Sequence, residues 1–133
     1  MTYIEFLHEV IERGIKGASE DPIINKYPKR LEGSIEGFNA CRGKTPEQLS
    51  ALLTEANTKT LNARLDVNDK DDKDIEEYWK QRYYAIQIEW TCNCVSAILM
   101  NEGKPVIIPP TARGYMNAAE IIGVGPATGV PSA

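Results

Sequence analysis

Residues 74–102 read DIEEYWKQRYYAIQIEWTCNCVSAILMNE, a run without proline or glycine. Gly103 follows as a terminator and Pro105 lies just beyond, so the whole stretch is expected to form one helix. At 1.5 Å per residue the rod is about 43 Å long, against a radius of gyration near 14 Å for a compact domain of this size. Trp79, Tyr83, Ile86, Trp90 and Ala97 project within about 40° of one another, whereas Ile88, Cys92, Val95 and Leu99 line the opposite side. Two apolar faces need two covers. With three shorter helices available upstream, one face is expected to pack on its own chain and the other on a second copy.

Working outward, Thr2-Tyr3-Ile4-Glu5 has capping-box spacing, and Leu7, Val10, Ile11 and Ile15 recur at helical intervals, which predicts a helix over 3–16 loosened by Gly14 and Gly17. Residues 18–26, with Asp21-Pro22, read as a polar connection leading to Tyr27-Pro28. Pro28 suits a first helical turn. Leu31, Ile35 and Phe38 then share one face to about Arg42, where Gly43 ends the helix. Thr45-Pro46-Glu47-Gln48 supplies a cap, an N1 proline and a box partner for a third helix, which Leu49, Leu52, Leu53, Ala56 and Leu61 carry to about Leu65. Residues 66–77 place seven acidic side chains in twelve positions and read as a solvated connection between helices. An EF-hand register fails there, because Asp71 or Asp74 stands where the sharp-turn glycine is required.

Beyond the long helix, prolines keep 104–110 from being a central strand, and a short extended segment is expected before a brief helix over 111–122. The fold class that follows is mainly α: a small helical domain with one long C-terminal helix and a short extended segment after it, assembling as a homo-oligomer. Residues 1–124 form the single domain, and 125–133 a flexible tail.

Composition narrows the function classes. With 133 residues, 42% hydrophobic and 26% charged, the chain suits one globular domain. A net charge of −4 with no Lys/Arg block excludes a nucleic-acid polymer as partner, since such binding needs a basic surface. No apolar run approaches the roughly 18 residues that span a bilayer, and MTYIEFLHEVIERG lacks a signal peptide's apolar core. A soluble cytosolic protein with no membrane partner is expected. Cys41, Cys92 and Cys94 are odd in number and fit reduced thiols; Cys92 and Cys94 lie about 200° apart on a helix and cannot chelate one ion.

The motifs that suggest catalysis fail on spacing. Gly37 to Thr45 carries five residues between its glycines where a phosphate loop needs four, and Gly123-x-Gly125 has no following helix. His8, the one histidine, sits on an amphipathic helix with no triad around it. Glu76, Glu77 and Glu89 lack the spacing of a Mg²⁺-dependent hydrolase. No metal and no cofactor is indicated.

Polar residues within apolar faces stand out instead. Asn93 lies on the aromatic stripe between Trp90 and Ala97, either fixing helix register at an interface or hydrogen-bonding a ligand. Arg113 follows Pro109-Pro110-Thr111-Ala112, a stiff backbone from which a guanidinium could grip a diphosphate. Gly33 and Gly37 lie one turn apart, with Arg30 and Arg42 at the ends of that helix. Close approach by another chain or a ligand would compensate their helix penalty.

The opening TYIEFLHEVIERGI, the segment LEGSIEGFNACRGKT, the helix core EWTCNCVSA and the proline-led VIIPPTARG, in that order, resemble the first family of phage Thoeris anti-defence sponge proteins. The likeness covers most of the chain to about Val124. It implies a non-enzymatic helical homo-oligomer, a dimer or a trimer of dimers, in the cytoplasm of the infected bacterial host. Such a protein sequesters cyclic ADP-ribose isomers made by a TIR-domain immune enzyme and starves the downstream effector. Some relatives are implied to hold cyclic di- or trinucleotides at a separate site. Carried over residue by residue, Asn93 and Arg113 match the family's ligand contacts, flanked here by Trp90 and Thr111. Tyr83 or Tyr84 stacks on adenine, and Arg64 reaches a phosphate from the neighbouring subunit. The second nucleotide site comprises Arg30, Gly33, Ser34, Gly37 and Arg42. The acidic segment 66–77 and the glycine-rich tail depart from the family pattern. Two alternatives compete: a small helical Mg²⁺-dependent phosphohydrolase using Glu76, Glu77 and Glu89, and an oligomer whose aromatic face binds another polypeptide.

Overall fold

Each capping signal in the sequence starts a helix where it should. The Thr2 hydroxyl accepts from the Glu5 backbone N–H at 3.1 Å, and the Glu5 carboxylate accepts from the Thr2 N–H at 2.9 Å. Thr45 and Gln48 make the same reciprocal pair at 3.2 and 2.9 Å. At the other ends, Gly103 and Gly123 adopt left-handed φ values of 72° and 86°, which closes their helices without a Cβ penalty. A computed structural model of the chain describes residues 1–66 and 72–123. The described residues form α1 (Tyr3–Glu20), α2 (Pro22–Asn25), α3 (Pro28–Ala40), α4 (Pro46–Asp66), α5 (Asp72–Asn101) and α6 (Ala112–Ile122), with no strand among them.

Helix α5 is the axis of the molecule, and α1, α3, α4 and α6 all pack on it. Its Ile88, Cys92, Val95 and Leu99 are buried, as the periodicity predicts, against Phe6, Val10, Phe38, Leu49 and Leu53. Fully burying a side chain of this size contributes about 1.5–3 kcal/mol. Cys92 donates to the Leu49 carbonyl near one end of α4, and the Thr60 hydroxyl donates to the Gln81 carbonyl towards the other, so α4 runs antiparallel to α5.

Four expectations are corrected. Helix α1 runs to Glu20 instead of ending at 16, because Gly14 faces the buried Phe38 ring so closely that a Cβ would stand 2.8 Å from Cδ1 and nearer still to Cε1. The polar connection contains a helical turn, α2, begun by the Asp21 carboxylate accepting from the Ile23 N–H at 2.8 Å. The acidic connection is shorter than 66–77: α5 already begins at Asp72, where carboxylates in the first turns favour the helix dipole. Residues 67–71, like the expected tail at 125–133, lie outside the described residues. Lastly, α6 folds back on α5, and every residue from Thr91 to Ala97 is buried. The aromatic stripe is therefore open only from Trp79 to Trp90, where Ile86 is 37% exposed and Tyr83 and Trp90 are half-buried. Among the described residues no helix is long and apolar enough to cross a membrane.

Candidate functional site

Four residues expected at one ligand site meet at the junction of α5 and α6. Asn93, 8% exposed, donates from Nδ2 to the Thr111 hydroxyl at 2.9 Å, while its Oδ1 accepts from the Thr111 backbone N–H at 2.9 Å. Thr111 in turn caps α6, its hydroxyl accepting from the Gly114 N–H at 3.2 Å. Two residues into that helix, the exposed Arg113 guanidinium stands 5.6 Å from the centre of the Trp90 ring, within cation–π range. The Asn93 amide is thus held inside its own chain by two hydrogen bonds to Thr111. An amide nitrogen carries two hydrogens, and Thr111 uses one.

The connection between α5 and α6 is held from the same side. Ser96, one turn beyond Asn93 and fully buried, accepts from the backbone N–H groups of Ile107 and Ile108 at 3.0 and 3.2 Å. Gly114 lies so close to Asn93 that an added Cβ would stand 2.8 Å from Cγ and nearer still to Oδ1. Neither Ser96 nor Gly114 was singled out by sequence reasoning. The available signal was the spacing of Ser96 from Asn93, since residues three apart share a helix face.

Tyr83 stands elsewhere. Ten residues along the helix separate it from Asn93, about 15 Å of axial distance. It belongs to an aromatic cluster at the other end of α5, where the Arg30 guanidinium lies 4.2 Å from both the Tyr27 and Trp79 ring centres and 5.5 Å from that of Tyr83. Trp79 and Tyr83 are 6.2 Å apart and tilted. A cleft of about 540 Å³ opens beside Tyr27, Arg30, Ile75 and Trp79. Tyr84 is half-buried on a different side, and burial raises its hydroxyl pKa. Arg64 is exposed in the last turn of α4. Given the antiparallel register set by Thr60 and Gln81, it lies roughly 24 Å along α5 from Asn93.

The five residues expected at a second nucleotide site are split. A Cβ on Gly33 would lie 2.9 Å from the Lys80 carbonyl carbon, and one on Gly37 would lie 2.5 Å from the Tyr84 carbonyl oxygen, so both are buried beneath α5. Ser34 is fully buried and accepts from Gln87 Nε2 at 3.3 Å. The close approach expected of another chain or a ligand is therefore made by α5 of the same chain, and these three residues offer no open surface. Arg30 lies in the first turn of α3 and Arg42 just past its end, so the length of the helix between them, about 15 Å, separates the two. Arg42 pairs with Glu12 and contacts His8 at 3.4 Å, tying α3 to α1. His8 is exposed, as its helical position predicts.

Lys80 bridges α5 to α3 by pairing with Glu32 at 3.1 Å and Glu36 at 3.5 Å. The bond from Lys80, followed by that from Lys29, holds the Glu32 carboxyl below its ordinary range. All three cysteines are free and buried, and burial pushes Cys41 and Cys94 up to about 11 and Cys92 up to about 12. Among the described residues no three His, Cys, Asp or Glu side chains are placed to hold a metal ion. Glu76 and Glu89, required together by the hydrolase alternative, are about 20 Å apart along α5. One cleft had no signal in the sequence: about 710 Å³ between the starts of α1 and α4 and the end of α5, lined by Phe6, Pro46, Val95, Ile98 and Ile122.

Comparison with protein-family models, with curated proteins and with solved structures finds no match for this chain.

Proposed function

We propose that the chain captures a cyclic ADP-ribose isomer without altering it, at the Trp90–Arg113 face, and so counteracts Thoeris defence in the infected cell. The observation that carries this reading is the Arg113 guanidinium poised over the Trp90 ring on a backbone fixed by Asn93 and Thr111. A diphosphate wants a guanidinium, and an adenine wants a flat ring. Both are offered beside each other on a surface that the chain's own helices leave open.

The reading also needs a second copy. Tyr83 and Asn93 are about 15 Å apart in one chain, too far to grip one ligand together. If two α5 helices cross antiparallel near the exposed Ile86, Tyr83 of one copy comes beside Trp90 and Arg113 of the other. Enclosure by two subunits suits the roughly nanomolar affinity, about −12 kcal/mol, that sequestration of a scarce signal requires. The open part of the aromatic stripe, from Trp79 to Trp90, supports such a contact. A protein-interaction role for the same stripe lacks a use for Arg113.

The test is recovery. The protein is incubated with a cyclic ADP-ribose isomer, separated from free ligand, heated, and its supernatant analysed by chromatography. The proposal predicts that ligand travels with the protein and returns chemically intact. A ring-opened product in the supernatant, a bis-monophosphate from cleavage of the diphosphate or linear ADP-ribose from cleavage of a glycosidic bond, would show a hydrolase instead.

A further inference from the structure

We infer that Ser96 and Thr111 are positioning residues: they set where Arg113 stands and the direction in which its side chain starts towards Trp90. For ligand capture this inference rests on the reading above, but its structural part can be tested without any ligand. Asn93 and Ser96 lie three apart on one face of α5, and between them they hold three backbone N–H groups of the connecting segment: Thr111 by Asn93, Ile107 and Ile108 by Ser96. A segment with Pro105, Pro109 and Pro110 has few donors to offer, because proline has no N–H. Three of those it does offer, from Ile107, Ile108 and Thr111, are gathered by two side chains of one helical turn.

The consequence for Arg113 is geometric. Ser96 pins the returning segment at Ile107 and Ile108 against α5, and Asn93 with Thr111 fixes where α6 begins. Gly114 lets the first turn of α6 lie directly against Asn93. Arg113 sits between Thr111 and Gly114, both held, so its Cα position and the direction in which its side chain starts are settled before any ligand arrives. A guanidinium on a free loop would have to be ordered upon binding, and ordering weakens affinity. Thr111, which the family resemblance groups with the ligand contacts, thus donates its backbone N–H to Asn93 and accepts on its hydroxyl oxygen from Asn93 and Gly114, all within the chain.

The experiment uses Trp90 as a reporter. The chain has two tryptophans, so a Trp79→Phe background leaves one indole. Acrylamide quenching of Trp90 is measured without ligand in this background and in its Arg113→Met, Ser96→Ala, Thr111→Val and Thr111→Ser derivatives, with helical content checked by circular dichroism. Calorimetry with a cyclic ADP-ribose isomer follows on each. Ser96→Ala and Thr111→Val are expected to shift quenching towards that of Arg113→Met and to weaken binding about 10-fold. Thr111→Ser, which keeps the hydroxyl, is expected to restore both. Because Thr111 is exposed, its two variants carry the test even if Ser96→Ala fails to fold. The inference is overturned if Ser96→Ala and Thr111→Val keep the parental quenching while Arg113→Met changes it, or if Arg113→Met changes nothing. A parent that binds no ligand overturns the proposed function, and the quenching series still decides the positioning role.

Discussion

The carbonyl group of Lys80 stands where a side chain on Gly33 would begin: a Cβ there would lie 2.9 Å from the carbonyl carbon and closer to the oxygen. Four residues on, Gly37 meets the carbonyl of Tyr84 in the same way. Helices α3 and α5 thus approach backbone to backbone along two successive turns. The glycine penalty of about 1 kcal/mol each is offset by the contact it permits and by burial of Phe38 alongside.

Gly33→Ala and Gly37→Ala are therefore expected to destabilise the protein even though alanine is the better helix former. Overpacking costs about 1–3 kcal/mol, more than the propensity gained. Urea midpoints should fall for each, and fall for folding reasons. Unchanged midpoints would mean that α3 and α5 do not pack as described.

How far the sequence alone reaches is clearest at these positions. The spacing of Gly33 and Gly37 signals a close approach, but nothing local says by what, and the partner carbonyls lie more than forty residues away. Helix starts were legible because Thr2, Thr45 and Thr111 act within their own first turns. Helix lengths were less so: Gly14 reads as a break, but the Phe38 ring against it is a tertiary fact. At the site, Asn93 was visible as a polar residue on an apolar stripe. Its engagement with Thr111 was not, because α6 had to fold back before the two could meet.

Asn93→Ala removes two hydrogen bonds at once and leaves the Thr111 N–H without its acceptor. A loss of about 2–3 kcal/mol is expected. Hydrogen exchange should show it first as faster exchange in the opening turn of α6, before any change in α1 or α3. Uniform acceleration throughout the chain would contradict the local role.

Alkaline pH should weaken the fold through its buried thiols. Each thiol is shifted upward from its ordinary value of 9.0 by burial, to about 11 for Cys41 and Cys94 and about 12 for Cys92. Between pH 9 and those values the unfolded chain has lost protons that the folded chain retains. The stability from keeping these thiols neutral is therefore complete below pH 9 and is lost as pH rises through 11. Urea midpoints between pH 7 and 11 should be flat at first and then decline. Alkylation by iodoacetamide at pH 8 should be slow in the folded protein and fast in urea.

Ile86→Glu probes the expected contact between copies. The residue is 37% exposed, so within one chain the change should cost little, about 0.5 kcal/mol. Light scattering at micromolar concentration should find the parent as a dimer or larger and the variant as a monomer with unchanged helical content. A monomeric parent would remove the second copy from the account.

The most direct measurement is calorimetric titration of a cyclic ADP-ribose isomer into the parent and into Arg113→Ala. The account predicts roughly nanomolar binding to the parent and a loss of at least about 100-fold in the variant, a difference of about 2.7 kcal/mol. No heat of binding in the parent, or equal affinity in both proteins, would contradict it.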